Sequence, residues 1–172
     1  MIRRRLLLAL ACLAPLSACA SDPKSGYAWS SSYDTSISSV AAPLWENETF
    51  HHGLEARLTE AVVKEIQRVT PWRVAPSGEA DTTLTGVLRR VEIRRLSTAR
   101  TSGLAEELSV ELTIDYTWKS GRTGKTLTAR KGMRVVESFV PALGVGERVE
   151  IGELAAVDAA ARAVVASMRS GW

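Results

Sequence analysis

This chain has little of what most catalytic and metal sites are built from. Of its 172 residues, two are cysteines, and both lie within the first nineteen, at Cys12 and Cys19. Beyond residue 19 there is no thiol for a disulfide, a Cys-ligated zinc or nucleophilic catalysis. The only histidines, His51 and His52, are adjacent. Neighbours at i and i+1 diverge on a helix, so they form no chelate without distant ligands and read as polar residues at a helix start. Charge of one sign is also missing. The chain has 22 Lys+Arg against 19 Asp+Glu and a pI near 9.1. Three of those cations, Arg3, Arg4 and Arg5, are the only charges before Cys19, so 19 basic and 19 acidic residues remain after it. That balance gives no support for nucleic-acid binding.

What is present begins with the leader. The three arginines precede an apolar stretch, Leu6 to Leu16, broken only by Pro15. It is too short to span a bilayer and has the layout of a secretory signal. Leu16-Ser17-Ala18-Cys19 resembles the bacterial lipobox. The resemblance implies removal of residues 1–18 and acylation of Cys19. Each buried methylene contributes about 0.8 kcal/mol, so several chains on one residue anchor stably where one is marginal. Ala20 rather than Asp after the cysteine implies transfer to the outer membrane, on its periplasmic side. Residues 20–35, rich in Ser, Asp, Gly and Pro, read as a flexible tether that spans at most about 55 Å.

The remaining length suits one domain, residues 36–172, large enough to fold without staples. Ile37 to Trp45 predicts a first strand, with Pro43 near its end, and Glu46 to Thr49 a turn. From Gly53 to Val69, Leu54, Leu58, Ala61, Val62, Ile66 and Val69 recur at steps of three and four, which predicts an amphipathic helix stopped by Pro71. Trp72 to Val74 is a short strand and Ser77 to Asp81 a turn. Three longer strands follow. Thr82 to Leu96 is β-branched but broken by paired arginines. Leu108 to Trp118 alternates, with Leu112 and Ile114 on the buried face. Thr126 to Phe139 is less cleanly patterned. Pro141 to Gly146 is a loop. Ile151 to Met168 predicts a second amphipathic helix, with Ile151, Leu154, Val157, Ala161, Val164, Val165 and Met168 inward. The expected fold is α+β: two amphipathic helices on one face of a mixed four- to five-stranded sheet, a two-layer sandwich.

Catalytic constellations are hard to find. Gly124-Lys125-Thr126 has the ending of a phosphate-binding loop, but Lys119 stands where its first glycine is required, and the segment joins two strands. Glu111 and Asp115 share a strand face at roughly 13 Å by strand rise, beyond the 5–9.5 Å of catalytic carboxyl pairs. No nucleophile stands beside a base. The expectation is a protein that is not an enzyme and has no cofactor or metal. The local anomaly is basic: Arg89, Arg90, Arg94, Arg95 and Arg100 fall within twelve residues, interrupted by Glu92 alone. Arginine suits phosphate because its planar fork donates two hydrogen bonds at once. The competing reading is a solvated strand paired with Glu106, Glu107 and Glu111 across the hairpin. Strict alternation sends Arg89 and Arg95 to the face of Val87, Val91 and Ile93, taken as the helix side. Arg90 and Arg94 then join Leu88 and Leu96 on the other face, unless a bulge intervenes. That makes Arg90, Arg94 and the loop residue Arg100 the better candidates for phosphate.

Val40 to Phe50 (VAAPLWENETF), Gly53 to Ala61 (GLEARLTEA), Ala80 to Gly86 (ADTTLTG) and the ending from Phe139-Val140-Pro141 through a last helix to Trp172 together resemble the LptE family of lipopolysaccharide-assembly lipoproteins, over about residues 26–172. The resemblance implies an outer-membrane lipoprotein that plugs an LptD-type β-barrel, assists its assembly and helps deliver lipopolysaccharide to the outer leaflet. The implied partners are that barrel, lipopolysaccharide and the membrane itself through the acyl chains. The alternative is a lipoprotein cofactor that regulates a cell-wall synthase from the same membrane, which would need a longer tether to cross the peptidoglycan.

Overall fold

A computed structural model describes residues 33–98, 105–140 and 149–169. The leader, Cys19, most of the tether, Arg100, the 141–146 loop and Trp172 lie outside the described residues. The chain order is β1 (Ser39–Ala41), β2 (Glu46–Asn47), α1 (Leu54–Val69), β3 (Arg73–Val74), β4 (Thr82–Thr98), β5 (Ala105–Ser120), β6 (Thr126–Phe139) and α2 (Val149–Ala166). The sheet runs β3-β1-β4-β5-β6, and β2 also pairs with β4. β4, β5 and β6 form an antiparallel meander, while β1 and β2 lie parallel to β4 and β3 parallel to β1. The two-layer α+β arrangement is as expected. Among the described residues the sheet has six strands rather than four or five, because the segment expected as a turn after β1 adds β2.

The added strand has a physical cause. Glu46 and Asn47 pair with Val87 and Leu88. Between them and β1 the chain leaves the ladder at Ala42–Trp45, where Pro43 has no N–H to donate. The detour lays the Trp45 indole on the backbone of Gly86. A Cβ built there would lie 2.3 Å from Trp45 Cε3. Trp45 is buried, and its backbone N–H donates to Thr59 Oγ1 of α1 at 3.0 Å. Only a glycine lets the indole come this close.

Helix α1 begins after Gly53, which takes the left-handed conformation (φ 87°). The Glu55 carboxylate accepts from the Gly53 N–H at 3.0 Å and suits the helix N-terminus electrostatically. Leu54, Leu58, Val62 and Ile66 are buried, and Ala61 and Val69 pack at the margin. They join Leu84 and Leu88 of β4, the alternate positions Val110 to Trp118 of β5, and the inner face of α2 in one core. The chain enters beside an aromatic group. Tyr33, at the end of the segment read as tether, is buried and packs edge-on to Trp72 at 5.2 Å, and Trp72 packs on Trp118 at 5.2 Å.

Helix α2 buries Val157, Ala161, Val164 and Val165, with Met168 just beyond it, as expected, and departs from the expected face in its first two turns. Its inner face is Gly152, Ala156, Val157, Ala160, Ala161, Val164 and Val165, while Ile151 and Leu154 are 49% and 42% exposed. Ile151 and Leu154, both expected inward, are therefore corrections. The small residues turn inward because Phe139 lies on Gly152, where a Cβ would come within 2.4 Å of its ring. Burying Leu154 would rotate that row away from Phe139. The other buried expectations, Leu58, Ile66, Leu112, Ile114 and Val165, are all fully enclosed.

Gly86→Ala drives a methyl group into the Trp45 ring. It should lower stability by about 1–3 kcal/mol in urea unfolding, the range for overpacking a rigid site. The same change in a Trp45→Ala background should cost much less, since the clash is gone.

Candidate functional site: the open face of the sheet

The helices cover one face of the β4-β5-β6 meander, and the opposite face carries most of the paired charge. Its layout depends on two bulges. From Thr82 to Leu88 the even residues of β4 point inward: Leu84, Gly86 and Leu88 are buried. Between Leu88 and Arg90 the register with β5 shifts by one residue. Arg90 then stands opposite Thr113, Glu92 opposite Glu111 and Arg94 opposite Ser109, and the half-buried Val91 replaces the even residues on the helix side. A bulge inserts one residue and so inverts the alternation beyond it.

The arginine assignment changes accordingly. Arg89, expected on the helix side, joins Arg90 and Arg94 on the open face. Leu88, expected on the open face, is buried. Arg95 stands opposite Leu108 on the helix side of the sheet, past the part the helices cover, and is exposed. The structure therefore brings three of the five arginines onto one face, sends Arg95 to the other, and leaves Arg100 outside the described residues.

Asp115 sits between the two bulges. Its Oδ2 accepts from Arg89 Nε at 2.8 Å across β4. Its Oδ1 accepts from the Gly132 N–H at 2.6 Å across β6. Gly132 has φ 63°, the left-handed setting a bulge of this kind needs, and the β5–β6 register shifts between Ile114 and Tyr116. The Gly132 N–H, followed by Arg89, holds the Asp115 carboxyl below its usual pKa, outweighing the effect of burial. Arg89 also donates to Glu48 just after β2, and its pKa is raised by these two acceptors, Glu48 first.

The remaining charges form a second cluster. Glu92 and Glu111 face each other directly across the β4–β5 ladder, a repulsive pairing if left alone. Arginines surround them. Arg90 Nη1 donates to Glu92 Oε1 at 2.9 Å, Arg94 bonds Glu92 through both Nε and Nη2, and Arg94 lies 3.7 Å and Arg134 3.6 Å from Glu111. The Glu92 pKa is lowered, chiefly by Arg94 and then Arg90. With Thr113, these five residues line a depression of about 210 Å³ that holds three cations and two carboxylates. Glu48, Glu92 and Asp115 were not among the expected acid partners, whereas Glu111 was.

Sequence reasoning passed over the cations of β6. Arg134 completes the depression, and Arg130 and Lys131 lie further along the strand, exposed. The signal was available: between Asp115 and Glu137 there are six Lys or Arg and no acid. It was hidden by the irregular apolar pattern that the Gly132 bulge produces. Elsewhere, His51 Nδ1 contacts Glu153 Oε1 at 2.9 Å, which joins the start of α1 to α2. Gly124-Lys125-Thr126 lies in the β5–β6 turn and the start of β6, as expected of a hairpin. Among the described residues no three His, Cys, Asp or Glu converge as a metal site, and no helix is long and apolar enough to cross a membrane.

These features define a small two-layer α+β domain with an open, arginine-rich sheet face. The sequence profile of the LptE family, described as lipopolysaccharide-assembly, matches residues 37–168, and the chain belongs to that family. No curated protein matches it. Among solved structures it is similar to lipoprotein B from Nitrosomonas europaea (15% identity, TM-score 0.49, covering 76% of this chain and 84% of that one). It is also similar to the rare lipoprotein B from Shewanella oneidensis (16%, 0.48, 76% and 92%). A third is a single-substitution variant of the PelC dodecamer from Paraburkholderia phytofirmans (10%, 0.48, 78% and 89%).

The depressed Asp115 carboxyl has a pH signature. A carboxyl whose folded pKa lies below its unfolded value contributes stability that is present above the unfolded pKa and lost as pH falls through the folded one. Asp115→Asn should therefore reduce stability at pH 7. Its difference from the parent should shrink as the pH drops below about 4, the ordinary range of this group. Urea midpoints measured at both pH values check this.

Proposed function

We propose that the protein is an outer-membrane lipoprotein, anchored through acyl chains on Cys19. It works on the periplasmic side with an LptD-type β-barrel, assisting its assembly, plugging it and helping to pass lipopolysaccharide to the outer leaflet. The observation that carries this reading is the match of residues 37–168 to a family whose business is lipopolysaccharide assembly. The chemistry agrees. A compact two-layer domain with a charged open face suits the polar lumen of a large barrel. A lipobox-like leader ahead of a Ser-rich tether suits attachment to the inner surface of the outer membrane. On this reading the protein assists transport without catalysing a reaction. Depletion should lower the amount of mature barrel and trap lipopolysaccharide in the inner leaflets. Cys19→Ser should leave a precursor that takes up no labelled fatty acid. Normal surface lipopolysaccharide after clean depletion would overturn the reading.

Arg90 and Arg94, with Arg100 after β4 in sequence, are the proposed phosphate contacts, and Arg89 and Arg95 are secondary. Arg89 is already committed to Asp115 and Glu48. In the depression a lipid phosphate would compete with Glu92 for Arg90 and Arg94. Two variants should therefore move in opposite directions. The triple change of Arg90, Arg94 and Arg100 to Ala should weaken lipopolysaccharide binding by the purified protein at nearly unchanged Tm. Glu92→Gln, which releases both arginines, should strengthen it, and both effects should fade as salt rises.

A further inference from the structure

We propose that the edge of β6 away from β5, unpaired among the described residues, is a docking site for an acidic, extended segment of a partner protein, which adds to the sheet as a further strand. The inference stands on β6 alone and does not depend on the function proposed above.

β6 runs for 14 residues and, among the described residues, pairs only with β5. Its other edge presents main-chain N–H and C=O groups that another strand can pair with. The opposite end of the sheet offers no comparable site, since β3 has two residues. Apolar side chains stand exposed along β6, with Leu127 40% and Val136 55% accessible, so an incoming strand would bury side chains as well as backbone groups.

Charge decides what kind of strand fits. Lys119, Arg122, Lys125, Arg130, Lys131 and Arg134 follow one another with no acid between Asp115 and Glu137. Among the described residues, neither Arg130 nor Lys131 has a carboxylate within salt-bridge distance. A second copy of this chain is a poor occupant, because antiparallel β6–β6 pairing around this segment sets the same cations against one another. An acidic strand is complementary.

The cations also divide between the two faces of the strand. Arg130 stands opposite Tyr116, on the helix side, and Arg134 opposite Thr113, on the open side. A flat anionic surface can meet only one of these sets. A β-strand meets both, since its own side chains alternate from face to face. This favours a polypeptide over lipid headgroups.

The test uses the full-length lipidated protein in neutral detergent micelles. Its probe is a fluorescent peptide of about ten residues alternating Glu with Val or Thr, the length of a long strand. Three controls accompany it: the same peptide with alternate backbone amides N-methylated, a Lys-for-Glu counterpart, and micelles doped with phosphatidylglycerol. The acidic peptide should bind and slow hydrogen exchange at β6 amides. Methylation should weaken it by about tenfold or more, because it removes main-chain donors without altering charge. Arg130→Glu with Lys131→Glu should exchange the preference toward the Lys peptide, and Arg130→Glu alone should shift it part of the way at unchanged Tm. Equal binding by the methylated peptide would reduce the edge to a charge effect and overturn the proposal. So would absence of new protection in β6, or binding to the phosphatidylglycerol micelles without any to the peptide.

Discussion

The carboxylate of Asp115 ties together two of the register shifts that shape the sheet, the one between Leu88 and Arg90 and the one between Ile114 and Tyr116. One oxygen holds Arg89 at the bulge in β4, and the other holds the Gly132 N–H at the bulge in β6. A bulge bends and twists its strand and inverts the facing of every residue beyond it. Strands of 17, 16 and 14 residues exceed the usual length and need such places to accommodate twist. The two lie on either side of β5 at Asp115. They also determine which arginines share a face. Without the shift at Leu88–Arg90, Arg90 and Arg94 would lie opposite Arg89.

The same economy of contacts appears on the covered side. Two glycines act as seats for aromatic rings, Gly86 for Trp45 and Gly152 for Phe139. The first fixes the detour between β1 and β2 and so brings Glu48 within reach of Arg89. The second brings the small-residue row of α2 against the end of β6. Each close approach trades a side chain on one element for a large ring on the other. The core is thus aligned by a few tight contacts as well as by general apolar burial.

Function follows from how the two faces differ. One is dry and holds the domain together. The other is open, with three arginines in a depression where only two carboxylates balance them. Membership of a lipopolysaccharide-assembly family gives such a surface a context of anionic lipid. The ion pairs on the open face keep the arginines ordered and soluble. They are exposed and hence weak individually, so a competing anion can displace them.

Local pattern was enough to find most of the elements. The 3.6-residue repeat from Leu54 to Val69 and the alternation from Val110 to Trp118 each arise from one element burying one face, and both appear as expected. The hairpin at Ser120–Lys125 was legible because its turn residues state their own conformation. Tertiary structure decided the rest. Whether Leu154 or the row of small residues turned inward depended on Phe139, fifteen positions away in sequence. Whether Glu46 and Asn47 made a turn or a strand depended on an edge of β4 that only the assembled sheet provides. The facing of Arg89 depended on Asp115, and the basic character of β6 became a surface only once its strand lay at the edge. Periodicity records what one element needs from the core. It carries no record of where a neighbouring element lets a strand slip by one residue, because that slip is stabilised by contacts between residues far apart in the chain.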